Sequence, residues 1–189
     1  SAGMGNDENG NVDNGVRGGS EKSAKGHPSF PIVALGSSAG GLDALEEFFK
    51  NVLPDSDMAY VIISHLEPHH ESLLAKIITK SSAIDAVQVE DGMAIEKNRI
   101  HVIPPGKYMT IEQGMLRLLP RESEPFMPID HFLRSLASYA GEMAVSIILS
   151  GNRSDGAVGL RAIHAELGMV MAQSPETANY ESMPRSAID

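Results

Sequence analysis

The chain has 189 residues, enough for one domain with a substantial core. Hydrophobic residues make up 42% and charged residues 21%, which argues against a disordered or membrane-embedded chain, and a formal net charge of -10 disfavours contact with nucleic-acid phosphates. With no cysteine, the sequence excludes disulfides, thiolate nucleophiles and Cys-based zinc sites, and it suits a reducing compartment.

Residues 1–27 are rich in Gly, Asn and Ser and carry almost no large apolar side chains, so they are expected to form a disordered leader. The opening Ser1-Ala2-Gly3-Met4 looks like a cloning remnant, and residues 28–189 are the expected catalytic domain. From Phe30 onward, short apolar runs alternate with amphipathic segments, which predicts an α/β fold: a doubly wound, mostly parallel sheet with flanking helices. Strands are expected at Pro31 to Leu35 and Ala59 to Ile63, each followed by a helix, Leu42 to Val52 and Ser72 to Lys80. Ile100 to Ile103 is the next strand. Tyr108 to Ile111 and Leu116 to Leu119 then flank a Gly-containing connection and read as an inserted antiparallel β-hairpin. A helix from Ile129 to Tyr139 and a buried strand from Ala144 to Leu149 follow. The last two elements are a helix from Ala157 to Leu167, stopped by Gly168, and a strand from Met169 to Ala172. The apolar runs fall far short of the ~20 residues of a spanning helix, and the polar N-terminus has no signal-peptide core, so a cytoplasmic location is expected.

Three polar groups stand where strands hand over to helices. Gly36-x-Ser38-x-Gly40 has the spacing of a nucleophile elbow, whose glycines permit a sharp strand-to-helix turn that projects the central hydroxyl. At that helix start the N–H of Ala39 is placed to stabilise an oxyanion. The same glycine spacing also serves a tight turn or a phosphate cradle, although the dinucleotide fingerprint and the Walker lysine are missing. His65 follows the second strand and is a candidate general base; a surface or capping histidine is the ordinary alternative. Asp155, within Ser150-Gly151-Asn152-Arg153-Ser154-Asp155-Gly156, is the candidate carboxylate for orienting the imidazole, and equally a ready N-cap for the helix it precedes. A metal reading of His65-Leu66-Glu67-Pro68-His69-His70 is disfavoured, because Pro68 breaks the helix that would align two imidazoles. No cofactor and no metal are expected.

These residues resemble the catalytic domain of chemotaxis protein-glutamate methylesterases of the CheB type, particularly versions fused to a receptor methyltransferase and sensor modules. The likeness runs from Phe30 to Asp189. It is carried by Ile32-Val33-Ala34-Leu35-Gly36-Ser37-Ser38-Ala39-Gly40-Gly41, Ser64-His65-Leu66-Glu67-Pro68, Val102-Ile103-Pro104-Pro105-Gly106, Pro128-Ile129-Asp130, Leu149-Ser150-Gly151 with Ser154-Asp155-Gly156, and Met183-Pro184-Arg185. The resemblance implies Ser38 as nucleophile, His65 as base and Asp155 as its orienting carboxylate, with Ala39, Asn152, Met183 and Pro184 bordering the substrate groove. It implies demethylation of glutamate methyl esters on a chemoreceptor-type signalling protein with release of methanol, and glutamine deamidation as a side activity. The family's last strand and tail are expected beyond residue 189, and regulation is expected to come from elsewhere. One departure is Arg153, which stands where such proteins commonly have glycine. It is the best argument for a second reading, a catalytically silent module that binds a receptor or a neighbouring domain. A third, a small-molecule esterase, requires a closed pocket.

Overall fold

The computed structural model describes residues 26–37, 41–65, 71–121, 124–149 and 155–173. In chain order the elements are β1 (Ile32–Ser37), α1 (Leu42–Lys50), β2 (Ala59–Ser64), α2 (Glu71–Ser81), β3 (Ala86–Gln88), β4 (Met93–Ala94) and β5 (Ile100–Val102). There follow β6 (Lys107–Glu112), β7 (Met115–Pro120), α3 (Pro128–Ala140), a short 3-10 turn, β8 (Ala144–Ile148), α4 (Ala157–Ala165) and β9 (Met169–Ala172). Six strands form one sheet in the order β3-β5-β2-β1-β8-β9, and every neighbouring pair is parallel. The chain therefore winds outward from β1 in both directions, the doubly wound arrangement expected from the sequence. Ligands in such sheets bind beyond the carboxyl ends of the strands where the winding reverses.

The central strands β1 and β2 are buried at every position, and apolar except for the serine that ends each and the hydroxyl of Tyr60, because both faces of the sheet are covered. Alternate residues serve opposite layers: Ile32, Ala34, Val61, Ile63 and Ile148 pack with α3 and α4, whereas Val33, Leu35, Tyr60, Ile62 and Ile147 pack with α1 and α2. On α3, Ile129, Phe132, Leu133 and Leu136 recur at three-to-four spacing, and none is more than 1% exposed. Each such burial contributes roughly 1.5–3 kcal/mol, enough to fix where this helix begins over the sheet. Pro128 occupies the first helical turn, where its missing N–H costs nothing.

The expected hairpin is present as β6 and β7, joined by Gln113 and Gly114 at φ 50 and 78, as a two-residue type I′ turn requires. It belongs to a second, three-stranded antiparallel sheet, β4-β7-β6, whose Met109, Ile111 and Leu116 join the α3 layer. The Ser135 hydroxyl of α3 accepts the Ile111 N–H at 3.0 Å, tying the small sheet to that helix. The strands β3 and β4 are additional to the expected elements, and with three and two residues they are too short to show alternation. Helices α1 and α4 stop at Lys50 and Ala165, short of the expected Val52 and Leu167. Of the expected leader, residues 1–25 lie outside the described residues, while Pro28 is buried and His27 Nδ1 donates to the Tyr139 carbonyl at 3.1 Å. Among the described residues no helix is long and apolar enough to cross a membrane.

Candidate active site

Three strand ends meet at one edge of the sheet. Ser37 of β1 pairs in register with Ser64 of β2, and Gly36 pairs with Ile148 of β8. Just past the strands, the His65 N–H donates to the Ser37 carbonyl at 3.2 Å, and the Leu149 N–H donates to the Gly36 carbonyl at 2.9 Å. Gly36 is required at this position: a Cβ there would lie 2.9 Å from two carbons of Ile129 and 3.0 Å from Ile148 Cδ1. The glycine lets the start of α3 close down on the end of β1.

His65 and Asp155, 90 residues apart in the chain, are in direct contact: His65 Nε2 lies 2.8 Å from Asp155 Oδ2. Their side chains are 4% and 0% exposed, so the contact is shielded from water. A carboxylate only accepts, so the neutral imidazole carries its proton on Nε2 and leaves Nδ1 bare. Hydrogen bonds to an ionised group contribute more than neutral ones, about 1.5–3 kcal/mol. The Phe126 ring stands edge-on to the imidazole at 5.9 Å between centroids, and the Arg121 guanidinium caps the Phe126 ring at 4.4 Å while pairing with Glu124. The Tyr108 ring also packs on Phe126, 5.0 Å between centroids, and a cavity of about 640 Å³ is lined by Tyr108, Met127, Asp130, His131, Arg134 and Val158 among others.

Asp155 does not cap the helix it precedes. Its Oδ2 also accepts the Ile129 N–H and its Oδ1 accepts the Asp130 N–H, both at 2.8 Å, so it caps α3 instead. The carboxylate thus rests on the positive end of the α3 dipole. The N-cap of α4 is Gly156, at φ 116, and it brings no side chain to the task. The cap comes from across the interface, where Asp130 Oδ1 accepts the Gly156 N–H at 3.0 Å and the Gly159 N–H at 2.7 Å. Asp130 belongs to the Pro128-Ile129-Asp130 motif, and its part in the cap is visible only in the fold. The available signal was an Asp-Gly step opening α4 together with a Pro-x-Asp opening α3.

Burial raises the Asp130 carboxyl above the usual carboxylate value, against the opposing Gly159 N–H, and the Asp155 charge raises it further. Burial lowers His131, with the nearby Arg134 charge acting in the same direction. His101 is a third case: fully buried on β5, it donates from Nδ1 to the Tyr60 carbonyl at 2.8 Å and accepts the Glu96 N–H on Nε2 at 3.2 Å. It is a structural histidine, lowered by burial.

Of the candidates read from sequence, the structure brings His65 and Asp155 together. Ser38, Ala39, Asn152, Met183 and Pro184 lie outside the described residues, as do Arg153, His69 and His70. Among the described residues no cluster of three or more His, Asp or Glu is arranged to hold a metal.

The fold and this pair define the class: a doubly wound α/β domain with a carboxylate-held histidine at the carboxyl edge of its sheet. Comparison with known proteins narrows it, since the CheB methylesterase family model matches residues 33–189, and the chain belongs to that family. An uncharacterised 104.1 kDa protein of Rhodobacter capsulatus is 40% identical over 116 residues, covering 61% of this chain and 12% of that one. A protein-glutamate methylesterase/protein-glutamine glutaminase of Burkholderia thailandensis is 31% identical over 163 residues, covering 83% of this chain and 45% of its own. A Myxococcus xanthus protein of the same description is 27% identical over 163 residues, covering 83% and 47%. The chain therefore spans about half the length of these curated methylesterases. The crystal structure of the Thermotoga maritima CheB methylesterase catalytic domain superposes with a TM-score of 0.79, covering 85% of this chain and 88% of that one at 24% identity. That likeness establishes the fold.

Proposed function

We propose that this chain is the catalytic domain of a serine hydrolase that removes methyl groups from glutamate 5-O-methyl esters of a chemoreceptor-type signalling protein, with glutamine deamidation by the same residues. The observation that carries the reading is the 2.8 Å contact between His65 Nε2 and Asp155 Oδ2 beside the end of β1. Ser38 follows Ser37, the last residue of that strand, in the sequence. Two curated relatives named as protein-glutamate methylesterase/protein-glutamine glutaminase support the substrate class.

In this mechanism Asp155 occupies Nε2, so the catalytic face of the imidazole is Nδ1. Ser38 Oγ attacks the ester carbonyl carbon and passes its proton to His65 Nδ1, while Asp155 stabilises the imidazolium through the Nε2–H. The N–H of Ala39 holds the tetrahedral oxyanion. The intermediate collapses, the C–O bond to the methoxy group breaks, and the leaving oxygen takes the proton from Nδ1 to depart as methanol. Water then adds to the acyl-Ser38 ester, returning its proton through Nδ1, and the glutamate carboxyl leaves as Ser38 is restored. Asn152, Met183 and Pro184 border the groove that receives the substrate segment. No step calls for a metal or an organic cofactor.

The partner in this reading is a methylated chemoreceptor or similar protein, met in the cytoplasm. The reading includes a parent chain with fused methyltransferase and sensor domains; the Rhodobacter capsulatus relative, of which the matched residues make up 12%, is an example of a much longer chain that contains such a segment. The test is Ser38→Ala assayed for methanol release from a methylated receptor fragment. Loss of at least about a thousandfold in kcat is expected for removal of a nucleophile, and undiminished turnover refutes the assignment. A wild-type chain that binds the fragment without turnover favours the silent-module reading.

A further inference from the structure

We propose that Asp130 is a positioning residue for the His65–Asp155 pair: by capping α4 from α3, it locks the turn from which Asp155 reaches the imidazole. The proposal rests on the hydrolase reading above and adds to it a residue that does not touch the reacting atoms.

Two aspartates hold each other's helices. Asp155, one residue before the α4 N-cap, accepts the N–H groups of Ile129 and Asp130 at the start of α3. Asp130 accepts the N–H groups of Gly156 and Gly159 at the start of α4. The four bonds, 2.7 to 3.0 Å long, close a ring in which neither carboxylate can shift without stretching the other's contacts. Asp130 is 5% exposed, so water does not readily replace it. Local sequence provides no substitute, because the α4 N-cap is Gly156 and its φ of 116 disfavours any side chain there. The length of the side chain matters too: a Cβ on Gly159 would sit 3.2 Å from Asp130 Cα, so the two helix starts meet at backbone distance. An aspartate spans that gap, and a glutamate has one methylene too many.

A purely stabilising cap and a positioning cap differ in what they do to the imidazole. Held by Asp155, neutral His65 keeps its proton on Nε2; with Asp155 displaced, the proton distributes between both ring nitrogens. The experiment compares the full chain with Asp130→Ala, Asp130→Asn and Asp130→Glu. It reads the ring-nitrogen NMR shifts of His65 and the hydrolysis of a peptide glutamate methyl ester. For Asp130→Ala the expected outcome is loss of the Nε2–H signature and a fall in kcat of about a hundredfold, the cost of roughly 1 Å of misplacement, with KM within about twofold. Asp130→Asn keeps an oxygen that accepts both N–H groups, so it restores the signature and holds kcat within about threefold of wild type. Asp130→Glu, carrying the charge with the wrong reach, falls between them. Where Asp130→Ala does not fold, the ranking of Asn above Glu in both readouts carries the test.

A wild-type signature in Asp130→Ala overturns the proposal, even if its melting temperature falls. An Asn variant no better than Ala overturns it too. Absence of ester hydrolysis in the wild-type chain sinks the hydrolase reading instead, and the nitrogen shifts still report on positioning without turnover.

Discussion

Gly159→Ala sets two physical effects against each other, and they predict opposite signs. Helix propensity alone makes alanine in place of a helical glycine worth up to about 1 kcal/mol of added stability. The structure argues the reverse. A Cβ at this position would lie 2.7 Å from Leu133 Cβ, 2.8 Å from Leu133 Cδ1 and 3.2 Å from Asp130 Cα. The Leu133 methyl group can rotate away, but Leu133 Cβ and the Asp130 backbone move only if α3 and α4 separate. Restoring an ordinary carbon–carbon distance of about 3.6 Å asks for roughly 0.9 Å of separation. Overpacking of this kind costs about 1–3 kcal/mol, and because the clash involves backbone the upper part of that range applies, so after the propensity gain the net expectation is a loss of up to about 2 kcal/mol. The same movement stretches the 2.7 Å bond from the Gly159 N–H to Asp130 and carries Asp155 away from His65. Misplacement on this scale should lower kcat ten- to about a hundredfold. Urea unfolding with an unchanged m-value gives the stability difference, and initial rates on a glutamate methyl ester give the second number. A variant more stable than wild type with full activity would refute the tight-contact argument.

Two further predictions rest on single contacts. Asp155→Asn cannot satisfy its site in either amide orientation, since its NH2 must face either the Asp130 N–H or the pair formed by the Ile129 N–H and His65. We expect a loss of about 1–3 kcal/mol in urea unfolding and of about 10³–10⁴ in kcat; wild-type stability would disprove this hydrogen-bond assignment. The buried His101 should make folding acid-sensitive. Its folded-state value lies below 6.5, so in the window between the two values the unfolded chain binds more protons, and stability falls as pH drops below 6.5. Urea midpoints measured from pH 7.5 to 5 should show that slope flattened in His101→Gln, and an unchanged slope would place the titration elsewhere.

The sheet was legible because β1, β2 and β8 are runs of five or six mostly apolar residues with one serine each, long enough to distinguish from helix faces. His65 and Asp155 were legible as candidates for a related reason: a residue just past a strand is recognisable locally, and parallel winding brings such ends to one edge. Their partners in the cap network were not. Asp155 sits where a local N-cap is the natural expectation, yet its carboxylate serves residues 25 and 26 positions earlier. No periodicity encodes that exchange; it follows from how closely Gly36 and Gly159 allow α3 to approach β1 and α4. His101 was silent for the opposite reason, because the contacts at its two ring nitrogens are hidden inside an ordinary strand pattern.

The imidazole and the carboxylate come from opposite halves of the chain, with the two-residue turn at Gln113 and Gly114 between them. Cutting the polypeptide at that turn would leave the imidazole in one fragment and its carboxylate in the other. Only when β8 docks again beside β1 are the halves reunited, so the buried contact between His65 and Asp155 would report reassembled molecules and ignore separate ones. The domain is in that sense already laid out as a split reporter, with the break point at a two-residue hairpin turn.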